Sequence, residues 1–344
     1  MNFGRSIRVN RGAVLVVVVC GFTLLYFYHL FSDRSGSAYG QARNANEVNL
    51  RKLLIGAIQA AQKGGVEIVE VSKSMLLNKK SKGKTKEGAD DPVTDADARS
   101  HCVMKNGLHR IFPRLEIISE EDKGTGCGDT AHFNLDPTVL HENAVIPDEV
   151  VETSDVTVWI DPLDATQEYT EKLYQYVTTM VCVAIRGKPV IGVVHNPFTM
   201  KTTWAWHGKA LSEDLSKVKK EETLTKNPII IVSRSHSGLV QNISKQVFGD
   251  NAQVIKAAGA GYKVLQVVFN NATAYLHTTR IKKWDLCAGN AILNAVGGKM
   301  TNLMNEEIDY SSNEAVVNDK GLLSTLSHHE DFISKIMSHK VLQA

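Results

Sequence analysis

Carboxylates gather at four places along the chain: Asp91 in DDPVTDAD, Glu120 and Glu121 in SEED, Asp161 and Asp164 in DPLDAT, and Asp285 in KKWDLCAGN. The third is the densest, because Asp161 and Asp164 close the apolar run VTVWI and are followed at once by Thr166, Glu168 and Glu171. A charge at the end of a buried strand is costly unless a counter-charge or a metal accompanies it. Helix capping accounts for one short polar side chain there, but not for Asp161, Asp164 and Thr166 together. Every donor in the four places is an oxygen. Oxygen-only sites suit hard cations, and where a phosphate shares the shell the usual occupant is Mg²⁺. Several carboxylates around more than one ion allow a water to be activated and a leaving oxygen to be stabilised, which is the chemistry of phosphoryl transfer.

These residues need rigid elements to hold them. Leu50, Leu53, Leu54, Ala57, Ile58 and Ala61 share one face at helical spacing and predict a first helix ending near Gly64-Gly65. Asn78 to Asp91 reads as a basic loop, Asp95 to about Arg110 as a second helix, and LEIISEED as a strand running into the second carboxylate place. From Val156 the runs VTVWI, VTTMVCVAI and KPVIGVVH, with a turn at Gly187, predict an antiparallel sheet. Beyond Lys217 to Lys226 strand and helix alternate: IIIVS, a helix from about Gly238, AQVIKA, a helix through Tyr262 to Val268, TAYLHT, and a helix from about Leu286 to Val296. That alternation is the pattern of an α/β half.

At 344 residues and 43% hydrophobic content the chain is long enough for a substantial core, and a net charge of +2 singles out no nucleic-acid polymer as partner. Gly12 to Phe31 carries no formal charge and has the length of a bilayer-spanning helix. Its aromatic end, Tyr26 to Tyr28, suits a membrane interface better than a cleavage site, and Arg5, Arg8 and Arg11 before it predict a cytoplasmic N-terminus. The expected organisation is therefore a cytoplasmic tail 1–11, a signal anchor 12–31, a stem 32–46, and a lumenal catalytic region divided into 47–215 and 216–344. In an oxidising lumen Cys102, Cys127, Cys182 and Cys287 admit three pairings; the apolar surroundings of Cys182 and Cys287 favour buried thiols. Asn242 and Asn271 head glycosylation tripeptides.

The four carboxylate places resemble, in order and across most of the chain, the motifs of the inositol monophosphatase superfamily of Mg²⁺-dependent, lithium-sensitive phosphatases. The match rests on Asp91-Pro92-Val93-Thr94 with Asp97, on Glu120-Glu121, on Trp159 to Thr166, and on Trp284 to Gly289. DATQEYTE, SRSHSG at Ser233 to Gly238 and GAGYK at Gly259 to Lys263 are similar to the branch that acts on 3′-phosphoadenosine 5′-phosphate (PAP), and with the anchor they look closest to its Golgi-resident members. The resemblance implies a layered αβαβα sandwich of the sugar-phosphatase type and two or three Mg²⁺ ions. It gives the ligands as Glu120, Asp161, the carbonyl of Leu163, Asp164 and Asp285, with a third ion near Glu120 and Asp91. Asp91 and Thr166 would activate the water, amides at Ala165 and Thr166 would receive the phosphate, and Ser233, His236, Gly259 and Lys263 would contact the nucleotide, Lys263 at its 5′-phosphate. Ala165 departs from the glycine of most of the superfamily, which argues against a generic inositol phosphatase. Trp159 and Trp284 read as core packing.

The implied activity is hydrolysis of PAP to AMP and phosphate in the Golgi lumen by a single-pass type II protein, removing the by-product of sulfotransferases. An inositol phosphate phosphatase of the same fold is the alternative. A type II glycosyltransferase shares the topology, and Asp95-Ala96-Asp97 is a DxD. The sequence leaves the oligomeric state open.

Overall fold

The computed structural model describes residues 46–74, 77–84, 90–122, 126–128, 133–140, 146–219, 227–234 and 237–339, without the side chains of 90, 91, 237–239 and 241–243. The anchor at 12–31 and His236 lie outside the described residues. Among those described, no helix is long and apolar enough to cross a membrane.

Two sheets organise the chain. The first has six strands in the order β8-β7-β6-β5-β4-β3, formed by β3 (Glu116–Ser119), β4 (Val156–Asp164), β5 (Thr178–Ile185), β6 (Lys188–Asn196), β7 (Lys201–Trp206) and β8 (Ala210–Leu211). It is antiparallel except that β3 runs parallel to β4. The second has five strands in the order β10-β9-β11-β15-β13, from β9 (Ile229–Ser233), β10 (Gln253–Ala257), β11 (Ala274–His277), β13 (Lys299–Thr301) and β15 (Leu322–Thr325). Helices fill three layers around them. On β5, Val181 and Val183 face a core shared with α1 (Leu50–Ser72) and α2 (Asp95–Ile111), while Met180, Cys182 and Ala184 face a core shared with α5 (Ala260–Val268), α6 (Lys283–Ala295) and the second sheet. The far face of the second sheet packs on α4 (Ser237–Phe248) and α7 (His329–Ser338). The result is the expected αβαβα sandwich, and burial on both faces explains why the central strands read as unbroken apolar runs. Both sheets belong to one compact unit, Val48–Ala344.

Three expectations are corrected. α1 runs on through Gly64-Gly65 to Ser72: a Cβ on Gly64 would lie 2.6 Å from Ser100 Oγ, and one on Gly65 2.7 Å from the His195 ring. These glycines therefore let α2 and β6 approach the helix and do not end it. The basic loop is in part a hairpin, β1 (Lys80–Lys84) pairing antiparallel with β2 (Asp90–Val93). Finally, Cys182 and Cys287 are joined as a disulfide between β5 and α6, with Cα atoms 5.6 Å apart, and Cys102 is joined to Cys127. Layer packing brings together two apolar cysteines 105 residues apart in sequence, a proximity that spacing alone does not reveal.

Candidate active site

The ladder between β4 and β5 slips between Asp161, opposite Met180, and Asp164, opposite Thr178. Pro162, which has no N–H to give, falls in the slipped stretch. Both aspartates are buried, and each is tied locally. Leu163 N donates to Asp161 Oδ1 at 3.1 Å; Asp164 accepts from Ala260 N at 3.0 Å and Gly261 N at 2.9 Å, the first turn of α5, and from Thr178 Oγ1 at 3.0 Å. Glu120 enters from the turn that ends β3, and Asp285 is the third residue of α6, where its Oδ2 accepts Lys282 N at 3.2 Å.

Burial and mutual repulsion mark this group as short of positive charge. Burial, with the charges of Glu120, Asp164 and Asp285, pushes the Asp161 carboxyl well above the usual range. Burial likewise raises Glu120, Asp164 and Asp285, against the partial compensation of Lys82 at Glu120 and of Lys263 at Asp164. Lys82, on β1, lies 2.9 Å from Glu120 Oε1 and also contacts Glu121.

Asp97 is the residue that the assignment of roles from sequence passed over. It is the third residue of α2, buried, and closes a capping box in which its Oδ2 accepts both Thr94 N and Thr94 Oγ1 at 2.7 Å. Its other oxygen, Oδ1, lies 2.9 Å from Thr166 Oγ1, a contact across 69 residues. Burial raises its carboxyl to about 6, so it is ionised at neutral pH. Thr166 Oγ1 is also 3.1 Å from the Leu163 carbonyl. Asp91 lies on β2 opposite Gly83, and its side chain is outside the described residues. The available signal for Asp97 was its place three residues after the cap Thr94, which aims it back along the chain. Ala165, between Asp164 and α3 (Thr166–Thr170), has φ +70 and ψ 46, a left-handed conformation that a glycine adopts at less cost.

A cavity of about 480 Å³ joins Glu120, Asp164 and Asp285 to Ser233, Gly259 and Lys263. Ser233 Oγ is 3.3 Å from His277 Nδ1, and the other ring nitrogen of His277 is 3.0 Å from Thr279 Oγ1. Gly259 precedes α5 at φ +69. Trp159 is core, its Nε1 donating to the Tyr310 carbonyl at 2.8 Å, whereas Trp284 is only partly buried and lines the cavity. Asn271 is exposed in the turn after α5, and Asn242 lies on α4.

Among the described residues no three His, Cys, Asp or Glu side chains are closed up as a metal-holding group. The chemistry of the donors nevertheless fits a hard divalent cation: all are oxygens, and burial together with mutual repulsion makes added positive charge favourable. Residues 49–340 match the inositol monophosphatase family. The chain belongs to that family. A Drosophila melanogaster relative is 54% identical over 341 residues, 98% of this chain and 96% of its own, and its name places it with inositol monophosphatase 3. The Golgi-resident adenosine 3′,5′-bisphosphate 3′-phosphatase of Mus musculus is 43% identical over 353 residues, covering 96% of this chain and 97% of its own. Among solved structures, the inositol monophosphatase of Anabaena superposes with a TM-score of 0.61 at 19% identity, over 84% of this chain and 96% of that one, and shares the fold.

Proposed function

We propose that the protein hydrolyses the 3′-phosphate of PAP, giving AMP and orthophosphate, in the lumen of the Golgi. The observation that carries this reading is the lining of the cavity, which combines the carboxylates Glu120, Asp164 and Asp285 with the cationic Lys263, Arg234 and Arg280. A substrate with one reacting and one non-reacting phosphate suits a cavity that offers both cation-holding carboxylates and cationic side chains. The Mus musculus relative, by its name, supports the nucleotide, and the relatives named inositol monophosphatase 3 keep an inositol phosphate as the second reading.

The chain's own part in the reaction follows from Asp97 and Thr166. With its hydroxyl donated to Asp97, Thr166 Oγ1 is left to accept from a water; as the water oxygen attacks phosphorus and the P–O3′ bond breaks, the water's proton passes to Thr166 while the Thr166 proton passes to Asp97, and the leaving O3′ takes a proton from solvent. Glu120, Asp161, the Leu163 carbonyl, Asp164 and Asp285 would hold Mg²⁺, which when bound supplies charge neutralisation for the phosphate and the leaving oxygen. Asp91 would add to this set from β2. The Ala165 and Thr166 amides would receive phosphate oxygens, and Ser233, His236 and Gly259 would contact the nucleoside. The type II anchor at 12–31, use of Asn242 and Asn271, and lithium sensitivity belong to the same proposal.

The test is phosphate release from PAP, AMP and inositol monophosphates under one Mg²⁺ concentration. Turnover of PAP well above the others is the expected result; faster turnover of an inositol phosphate transfers the assignment to the second reading.

A further inference from the structure

Five Lys and Arg side chains line the cavity: Lys84, Arg234, Lys263, Arg280 and Lys282. They are not equally available. Lys263 is buried, its Nζ donates to the Gly259 carbonyl at 2.7 Å, and it lies 5.0 Å from the Tyr275 ring. Its charge is already used, since it is the compensating cation for buried Asp164. Arg234 is held by Glu168 at 3.1 Å and Glu171 at 2.9 Å. The Lys282 ammonium sits over the Trp284 ring, 5.3 Å from its centre.

Arg280 and Lys84 differ: among the described residues neither side chain has a hydrogen bond, ion pair or ring contact. Arg280 is exposed on the link Thr278 to Arg280 between β11 and β12 (Ile281–Lys282). The same link leads directly into α6 and Asp285, so Arg280 and a proposed cation ligand sit on one short stretch of chain and line one cavity. A planar fork of five donors with no internal acceptor suits a phosphate better than a single ammonium does. We infer that Arg280, and not Lys263, reads the second, non-reacting phosphate of the substrate and so sets the preference for a bisphosphate over a monophosphate. Lys263 is then a positioning residue that holds the Gly259 turn and Asp164. This inference rests on the proposed nucleotidase reading.

Steady-state kinetics on PAP and on adenosine 3′-monophosphate, at one Mg²⁺ concentration, test it with Arg280→Gln, Arg280→Lys and Lys84→Gln. A charge-assisted contact made equally in the ground and transition states should, when lost, raise KM for PAP by about tenfold and leave kcat unchanged. KM for the monophosphate should stay within about twofold of the parent, because the contact is absent there. Inhibition by AMP, which carries only the non-reacting phosphate, should weaken by the same factor as PAP binding, and Arg280→Lys should recover part of it. The inference is overturned if Arg280→Gln shifts both substrates equally or neither, or if Lys84→Gln alone carries the loss. A parent enzyme that hydrolyses the monophosphate as well as PAP overturns the inference while leaving the phosphatase standing; a parent that hydrolyses neither removes the nucleotidase reading and this inference with it.

Discussion

Asp285 shows why a functional carboxylate is a stability liability. Burial, with the charge of Asp164, raises its carboxyl to about 7, against roughly 4 for an aspartate in an unfolded chain. Between those values the native state binds the proton more tightly than the unfolded state does, so this group makes the ion-free protein lose stability as pH rises from about 4 to about 7. Asp285→Asn removes the ionisation while keeping the shape. We expect it to abolish phosphate release and yet, in the presence of a chelator, to melt higher than the parent, with the larger gain at pH 8 rather than pH 5. A variant that melts lower than the parent at pH 8 would show that Asp285 is paid for by a partner we have not identified. Asp97→Asn should act on chemistry: the amide cannot take the proton, so kcat falls on the order of a hundredfold or more with a smaller change in KM. Unchanged kcat would return the water to another base, Asp91 first.

At the scale of elements, the placement of Asp285 depends on how α6 is seated against the first sheet. Gly192 on β6 faces the Ala288 carbonyl so closely that an added methyl would collide with it, and the Cys182–Cys287 disulfide ties the same helix to β5. Gly192→Ala should therefore push α6 outward, lowering both the melting temperature and kcat; a variant with parental kcat would mean that the helix can shift without moving its carboxylate. The disulfide closes a separation of 105 residues, for which chain entropy suggests a contribution of about 4 to 5 kcal/mol. Cys182→Ala with Cys287→Ala should accordingly lower the melting temperature by several degrees in non-reducing buffer. Identical melting of the double variant and the oxidised parent would show that the bridge adds nothing.

At the scale of the molecule, both sheets and every described site residue lie within the unit Val48–Ala344. A chain starting at residue 46 should thus fold and release phosphate without the apolar N-terminal segment; an insoluble or inactive product would make that segment part of the catalytic body. The proposed orientation is tested separately. In sealed microsomes the catalytic unit should resist added protease, and glycosidase should shift its mobility through Asn242 or Asn271. The two disulfides agree with an oxidising compartment. Digestion of the unit in intact vesicles would reverse the orientation.

Much of the fold was legible in the sequence because its signals are short-range. The apolar β-branched runs of β4, β5 and β6, the cap at Thr94 and the helical spacing from Leu50 each depend on neighbours within a turn or a strand. The crowding of Asp161, Asp164 and Thr166 also announced charge that needs a counter-ion, since no local structure explains it. What the sequence could not decide was partnership between distant groups. Asp97 meets Thr166 because α2 packs beside the end of β4; Lys263 is buried on Asp164 because α5 starts there; Cys182 meets Cys287 because α6 crosses β5. Gly64 and Gly65 look like a helix stop until α2 and β6 are seen pressing on them. The sequence alone determined the element types and the kind of chemistry, because propensity, capping and desolvation are local; layer packing determined which acid meets which hydroxyl and which cation stays free, because those contacts exist only once the layers close.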